Sequence, residues 1–197
     1  WGVRWQAQSN LRFDLATYYN DYDDLIGIVT GTPVVNGGTI FIPATGSDST
    51  TAKTWGGELS LEWQITRAAR LLASYSHTEL STEFSADSQS ARLDEGVAFY
   101  WPDTTPANQF SSTLSLDLPH NTELDTTIRF VDQVDRLNIE PYLALDLRLG
   151  VPLTRGLSLE LLGRNLLDST QTETIGDLYV AAETERSLFA RLKLSWL

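Results

Sequence analysis

The chain has 197 residues, enough for one domain with a sizeable core, and its composition excludes disorder, collagen and a coiled coil. A formal charge of −12, with only 14 Lys and Arg, argues against nucleic-acid binding, because polyphosphate would be repelled. With no cysteine and only two histidines, His77 and His120, disulfide scaffolds, thiol catalysis and Cys-ligated zinc are excluded and few other metal sites are possible.

The first predicted strand runs from Trp1 to Gln8, with Trp1, Val3, Trp5 and Ala7 on one face. A short turn at Ser9-Asn10 leads into LRFDLATYYNDYDDL, where Leu11, Phe13, Leu15, Thr17 and Tyr19 oppose Arg12, Asp14, Ala16 and Tyr18. A long polar stretch, roughly Thr30 to Thr51, follows, and VVNGGTIFI inside it carries an Asn-Gly signal for a small hairpin. In TWGGELSLEWQI, Trp55, Gly57, Leu59, Leu61, Trp63 and Ile65 share a face opposite Glu58, Ser60, Glu62 and Gln64. Thr66 to Ala69 is a tight connection into RLLASYSHTEL, with Leu71, Ala73 and Tyr75 together, and a second long loop covers roughly Ser81 to Pro106.

The fifth strand, NQFSSTLSLDLP, sets Phe110, Ser112, Leu114, Leu116 and Leu118 against Ser111, Thr113, Ser115 and Asp117. Pro119 to Thr122 turns the chain into ELDTTIRFV, with Leu124, Thr126, Ile128 and Phe130 against Asp125, Thr127 and Arg129. After Asp132 to Asn138 comes YLALDLRLG, then a turn at Thr154-Arg155-Gly156, then LSLELLGRNLLD. A last loop, Asp168 to Glu185, leads to the terminal strand RSLFARLKLSWL, in which Leu188, Ala190, Leu192, Leu194 and Trp196 alternate with Ser187, Phe189, Arg191, Lys193 and Ser195. Leucine favours helices, but here its spacing is two rather than three or four, and the pattern overrides the propensity. The expectation is nine strands and no helix.

Two regularities bear on what the apolar faces touch. Globular strands cluster near about 5–6 residues, whereas tilted membrane-spanning strands need about 9–11, the length read here. The connections also alternate between short and long, which puts the short turns at one end. No run approaches the roughly 18 apolar residues of a spanning helix, but a β-barrel crosses with short alternating strands. A soluble sandwich accounts for the alternation alone. A membrane barrel accounts also for strand length, one-sided loops and aromatics near strand ends, with Trp5, Trp55, Trp63 and Trp196 as interface anchors. In that reading Leu188 to Leu194 face acyl chains on alternate positions, and Arg191 and Lys193 face a polar lumen. Single-chain bacterial barrels have even strand numbers, so nine strands imply the last part of a larger barrel, and no signal peptide is visible.

Several residues are candidates for function. Asp125, Arg129, Asp146, Arg148, Glu160 and Arg164 lie on the wet faces of consecutive strands and suit a lumenal charge ladder paired across strands, with a solvated wall as the alternative. Phe99, Tyr100 and Trp101 sit in a long loop, where exposed aromatics suit substrate contact. NDYDD, Asn20 to Asp24, offers carboxylates to a hard cation such as calcium, but its first reading is a solvated strand top, and no metal is expected. There is no P-loop, dinucleotide fingerprint, nucleophile elbow or zinc-protease motif, so no enzyme and no cofactor are expected.

GRNLLD, from Gly163 to Asp168, followed by a loop and RLKLSW, resembles the end of TonB-dependent outer-membrane receptors. LRFDLATYYNDYDDLI, TWGGELSLEW, PANQFSSTLSLDLP and YLALDLRLG resemble barrel strands of the same family. The resemblance implies an all-β, antiparallel transmembrane barrel of 22 strands closed by an N-terminal plug. Residues 1–197 would be its C-terminal segment, with the plug absent. It implies a Gram-negative outer-membrane location and import of a ferric siderophore or similar nutrient. The implied partners are outer-membrane lipid, the plug domain and the TonB complex. By itself such a segment is not expected to transport. The alternative is a small β-sheet binding or structural module, soluble or oligomeric.

Overall fold

Alternating apolar and polar side chains give a ribbon two unlike faces, and a two-residue turn brings the next ribbon alongside with like faces matched. The structure, a computed structural model, describes residues 1–84, 104–174 and 182–195. Its strands are β1 (Gly2–Gln8), β2 (Leu11–Thr30), β3 (Val34–Asn36), β4 (Thr39–Phe41), β5 (Ala44–Thr66) and β6 (Ala69–Phe84). They continue with β7 (Asn108–Leu118), β8 (Thr122–Val131), β9 (Tyr142–Thr154), β10 (Leu157–Arg164), β11 (Thr170–Thr174), β12 (Ala182–Glu185) and β13 (Ser187–Leu194).

Nine of them form one antiparallel sheet in the order β1-β2-β5-β6-β7-β8-β9-β10-β13, a meander in which each strand pairs with the next spanning one. The nine expected strands are all present. Short turns at 9–10, 67–68, 119–121 and 155–156 gather at one end. Gly156 has φ +87°, the left-handed conformation such a turn requires.

At the other end the polar segments are more ordered than the composition implies. The expected loop at 30–51 is mostly strand: β2 and β5 are 20 and 23 residues long and pair as far as Thr30 and Ala44. β6 likewise continues to Phe84, and β11–β12 is a hairpin inside the expected last loop. The Asn-Gly signal is met by β3–β4, with Gly37 and Gly38 at φ +59° and +85°, the two left-handed residues of a type I′ turn. These stretches lack a sustained apolar alternation, so pairing rather than pattern marks them as strands.

Among the described residues no second layer covers the sheet. Among the described residues the buried apolar side chains are only Ala52, Val134, Ile139 and Ala144, two of them in the 132–139 connection. Leu59, Leu161 and Leu192 are 44%, 43% and 68% exposed. A sandwich would seal such residues between sheets. Here a continuous apolar face lies open, far beyond the scattered leucines of an ordinary surface. The sandwich is not formed, and the fold is an open, curved all-β sheet.

Candidate functional site

The register carries the polar face around the wall in level rows. One row of facing residues runs Arg4, Asp14, Ser60, Ser74, Ser111, Arg129 across six strands. The next runs Arg12, Glu62, Leu72, Thr113, Thr127, Asp146. Arg4, Asp14, Ser60, Ser74, Ser111 and Arg129 line a hollow of about 870 Å³. One face of one sheet encloses a hollow only if the sheet curves around it. The polar face is therefore concave and the leucine face convex.

On β8, β9, β10 and β13 the concave face holds a chain of ion pairs. Arg148 Nη1 donates to Asp125 at 2.8 Å, and its Nη2 to Glu123 at 2.9 Å and Glu160 at 3.1 Å. Glu160 also accepts from Arg191 at 3.2 Å, and Arg129 meets Asp146 at 3.1 Å. Gly150 stands between Glu123 and Glu160 in register. A Cβ there would lie 3.4 Å from Arg148 Nη2, so the missing side chain leaves room for the guanidinium to reach both neighbours. A fork with five donors suits this three-carboxylate task, where an ammonium would not span it.

Five of the six expected ladder residues are thus paired: Asp125, Arg129, Asp146, Arg148 and Glu160. Arg164 is not in the chain of pairs; its guanidinium lies 6.0 Å from the centroid of Phe189. Glu123 and Arg191 complete the cluster; the sequence reading turned Arg191 to the lumen but named neither as a member of the ladder. Nor did it name a second block on β1, β2 and β5, where Arg4 pairs with Asp14, and Arg12 meets Asp14 at 3.3 Å and Glu62 at 2.7 Å. The signal for both was present as charges of opposite sign on one face, but pairing them needs register.

The convex face carries Trp5, Phe13, Trp55 and Trp63. Trp5 stacks on its cross-strand partner Phe13 with centroids 5.6 Å apart. Trp55 and Trp63 lie near opposite ends of the apolar part of β5, and both are exposed. Trp55 sits 5.2 Å from His77, whose Nδ1 is 2.9 Å from Asn108 Oδ1; Tyr75 donates to the same oxygen at 2.6 Å and Asn108 donates to Asp132. Tyr18 stands apart from these rings. It turns to the concave face, lies over Gly56 and bonds Thr78 at 2.6 Å.

GRNLLD acts as a corner. Asn165 ends β10 with φ +49°, its N–H donates to Asp146 at 2.9 Å, and its side-chain amide donates to the carbonyl of Thr184 in β12 at 3.1 Å. Among the described residues no group of three metal-ligating side chains forms, and the carboxylates of NDYDD do not converge. Phe99, Tyr100, Trp101 and Trp196 lie outside the described residues.

A family model described as the TonB-dependent receptor-like β-barrel matches residues 2–166. No curated protein matches the sequence. Among solved structures, the ferric yersiniabactin uptake receptor FyuA of Yersinia pestis is 19% identical with TM-score 0.66, the likeness covering 100% of this chain and 29% of that one. The pyoverdine receptor FpvA of Pseudomonas aeruginosa is 15% identical with TM-score 0.67, covering 95% and 27%. A copper transporter, OprC, is 15% identical with TM-score 0.64, covering 99% and 31%. At these identities the likeness is one of fold, and the chain spans under a third of each solved protein. With its sheet order, its two-faced strands and a family match over far more than half its length, the chain belongs to the TonB-dependent receptor-like β-barrel family.

Proposed function

We propose that residues 1–197 are the C-terminal part of the barrel wall of an outer-membrane receptor in a Gram-negative bacterium. That receptor imports a metal chelate, with a ferric siderophore as the leading class, and does no enzymatic work. The observation that supports this best is the pairing of an uncovered leucine and tryptophan face with a polar, largely ion-paired concave face on the same sheet. Hydrocarbon is the solvent that suits the first, and a water-filled bore suits the second.

In this reading Trp5, Trp55, Trp63 and Trp196 anchor the wall at the two membrane–water interfaces. The ladder of Asp125, Arg129, Asp146, Arg148 and Glu160, with Arg164 at its upper end, faces a plug domain supplied by the rest of the receptor. Phe99, Tyr100 and Trp101 meet cargo on the outer side. Energy comes through the TonB complex, and a ferric chelate is preferred to copper because the similar solved structures include a ferric yersiniabactin uptake receptor and a pyoverdine receptor against one copper transporter.

The test is uptake by cells that make the complete receptor. Radioactive iron on a hydroxamate chelator, iron on a catecholate chelator and a copper(II) salt are offered in turn. Uptake of one ferric chelate that stops when the TonB complex is deleted supports the proposal. Copper uptake alone overturns the cargo class. A complete protein that stays monomeric in water without detergent overturns the membrane reading.

A further inference from the structure

The ribbon made by β2 and β5 runs far past the leucine face of the sheet. Tyr19 and Trp55 face each other in its outer aromatic row, and pairing continues as far as Thr30 and Ala44. That is about 36 Å farther along the strands at 3.3 Å per residue, or about 28 Å outward at the usual strand tilt. Two compensating bulges interrupt the pairing: Asp23 and Asp24 stand opposite Thr51, and Ile26 stands opposite Asp48 and Ser49. From Asn20 to Thr54 the carboxylates are Asp21, Asp23, Asp24 and Asp48, and the only basic residue is Lys53. Among the described residues none of these four carboxylates is in an ion pair.

The tip reverses this chemistry. Residues 31–46 hold no charged side chain. The Gly31 N–H donates to the Pro43 carbonyl at 2.8 Å and closes the base of the β3–β4 hairpin. Val34 faces Phe41 on one side of the hairpin, and Val35 faces Ile40 on the other. All four are exposed, Val35 at 70% and Ile40 at 64%. Both faces are therefore apolar and open. Among the described residues both edges are open too, because β3 and β4 pair only with each other. An isolated two-stranded hairpin is marginal in water, and an apolar patch on a projecting tip marks a contact site.

We propose that the β3–β4 hairpin is the docking element for a basic extracellular protein, drawn in by the acidic ribbon beneath it. The proposal rests on the membrane reading above for one point, that this end of the wall lies outside the cell. Three other occupants fail. Lipid tails end near the aromatic row, about 28 Å below the tip. A saccharide needs donors and acceptors, which valine, isoleucine and phenylalanine side chains do not offer. A second copy would bring two acidic ribbons side by side, and they repel. A polypeptide strand suits the hairpin: its main chain bonds an open edge and its alternate side chains cover the apolar faces. Basic residues around that strand answer Asp23, Asp24 and Asp48 and speed the encounter.

The chain has no cysteine, so a single thiol can be placed in it without removing a native one. Ile40→Cys in the complete receptor is treated with a sulfonated maleimide that does not cross membranes. Labelling of intact cells is expected. Label in broken cells only puts this end inside and overturns the membrane placement together with the proposal. No label in either means that the receptor's own loops cover the tip, and it overturns the docking element alone. Binding is read with a short peptide alternating lysine and leucine, against its glutamate counterpart, on the receptor in phosphatidylcholine nanodiscs with empty discs subtracted. The lysine peptide should bind and the glutamate peptide should not. Val35→Thr with Ile40→Thr keeps strand propensity, removes apolar contact and should weaken binding about tenfold. Asp23→Asn with Asp48→Asn should weaken it about threefold at low salt and flatten its salt dependence. Binding unchanged by the two threonines, or equal for the two peptides, overturns the proposal.

Discussion

Arg148 faces three carboxylates, Glu123, Asp125 and Glu160, and Arg191 pairs with the last of them as well. Removing its guanidinium leaves like charges on adjacent strands, which repel. The group is partly exposed, so each pair is worth less than a buried one. Arg148→Ala should lower the unfolding free energy by about 1–2 kcal/mol, summed over three modest pairs. Arg148→Lys keeps the charge and loses the fork, and should cost about half as much. Urea titration in detergent at low and at roughly 1 M salt checks the cause, because screening shortens to about 3 Å at the higher value. A loss of equal size at both salts would mean that packing, not charge, is responsible. Alternation alone put Asp125, Arg148 and Glu160 on one face. It could not show Glu123 and Arg191 as their partners, because which residue faces which is set by register and by the space left at Gly150.

At the level of strands and turns, the β1–β2 hairpin shows how far a sequence can be counted. A two-residue turn at Ser9-Asn10 sets Gln8 against Leu11, and simple counting would set Arg4 against Leu15, apolar against charged. A bulge between Gln6 and Gln8 shifts the pairing by one, so that Arg4 meets Asp14 and Trp5 meets Phe13. The odd-numbered apolar residues in both arms demanded such a bulge, but only coordinates say where it falls. The corner after β10 is a second case. GRNLLD was legible as a resemblance, and its physics is the left-handed Asn165 with its two bonds. Asn165→Gly keeps the backbone conformation and loses the tie to Thr184; Asn165→Ala loses both. Hydrogen exchange should therefore speed up in β11–β12 for both variants. Only Asn165→Ala should also lower global stability, by about 1–3 kcal/mol, because it strains the φ that presents the N–H to Asp146. Equal global loss in the two variants would place the effect in the side-chain amide. The upper parts of β2, β5 and β6 were the least legible, since these polar stretches have no apolar alternation to read. Gly56 marks where β5 passes under Tyr18, and a Cβ there would run into the His77 carbonyl and lie 2.5 Å from the Tyr18 hydroxyl. Gly56→Val should expel the Tyr18 ring and cost about 1–3 kcal/mol, as overpacking does, with loss of protection confined to the amides around Gly56 and Thr78.

The whole molecule poses one question, which solvent each face of the sheet meets, and adjacent residues of β5 can answer it. Leu59 lies midway between Trp55 and Trp63, four residues from each, on the convex face. Those two rings are about 26 Å apart along the strand at 3.3 Å per residue, or about 20 Å across the membrane at the usual strand tilt, most of the height of the apolar band of an outer-membrane barrel. Ser60, the next residue, faces the hollow beside Asp14. An arginine at the middle of a bilayer costs about 2–4 kcal/mol, and one in an aqueous lumen costs little. Leu59→Arg should thus reduce folding into lipid bilayers by that amount, whereas Ser60→Arg should change it by less than about 1 kcal/mol. The two substitutions add the same side chain to the same strand, so propensity and expression cancel in the comparison. Were the convex face a protein interface in water, both variants would fold without lipid and Leu59→Arg would only weaken self-association. The sheet's ends bear on the same measurement. β1 and β13 each have one unpaired side, and open edges of this length pair with whatever strand is offered. The free-energy comparison is therefore made in the complete receptor, where the remaining wall occupies both edges and the only variable left is the face to which the arginine points.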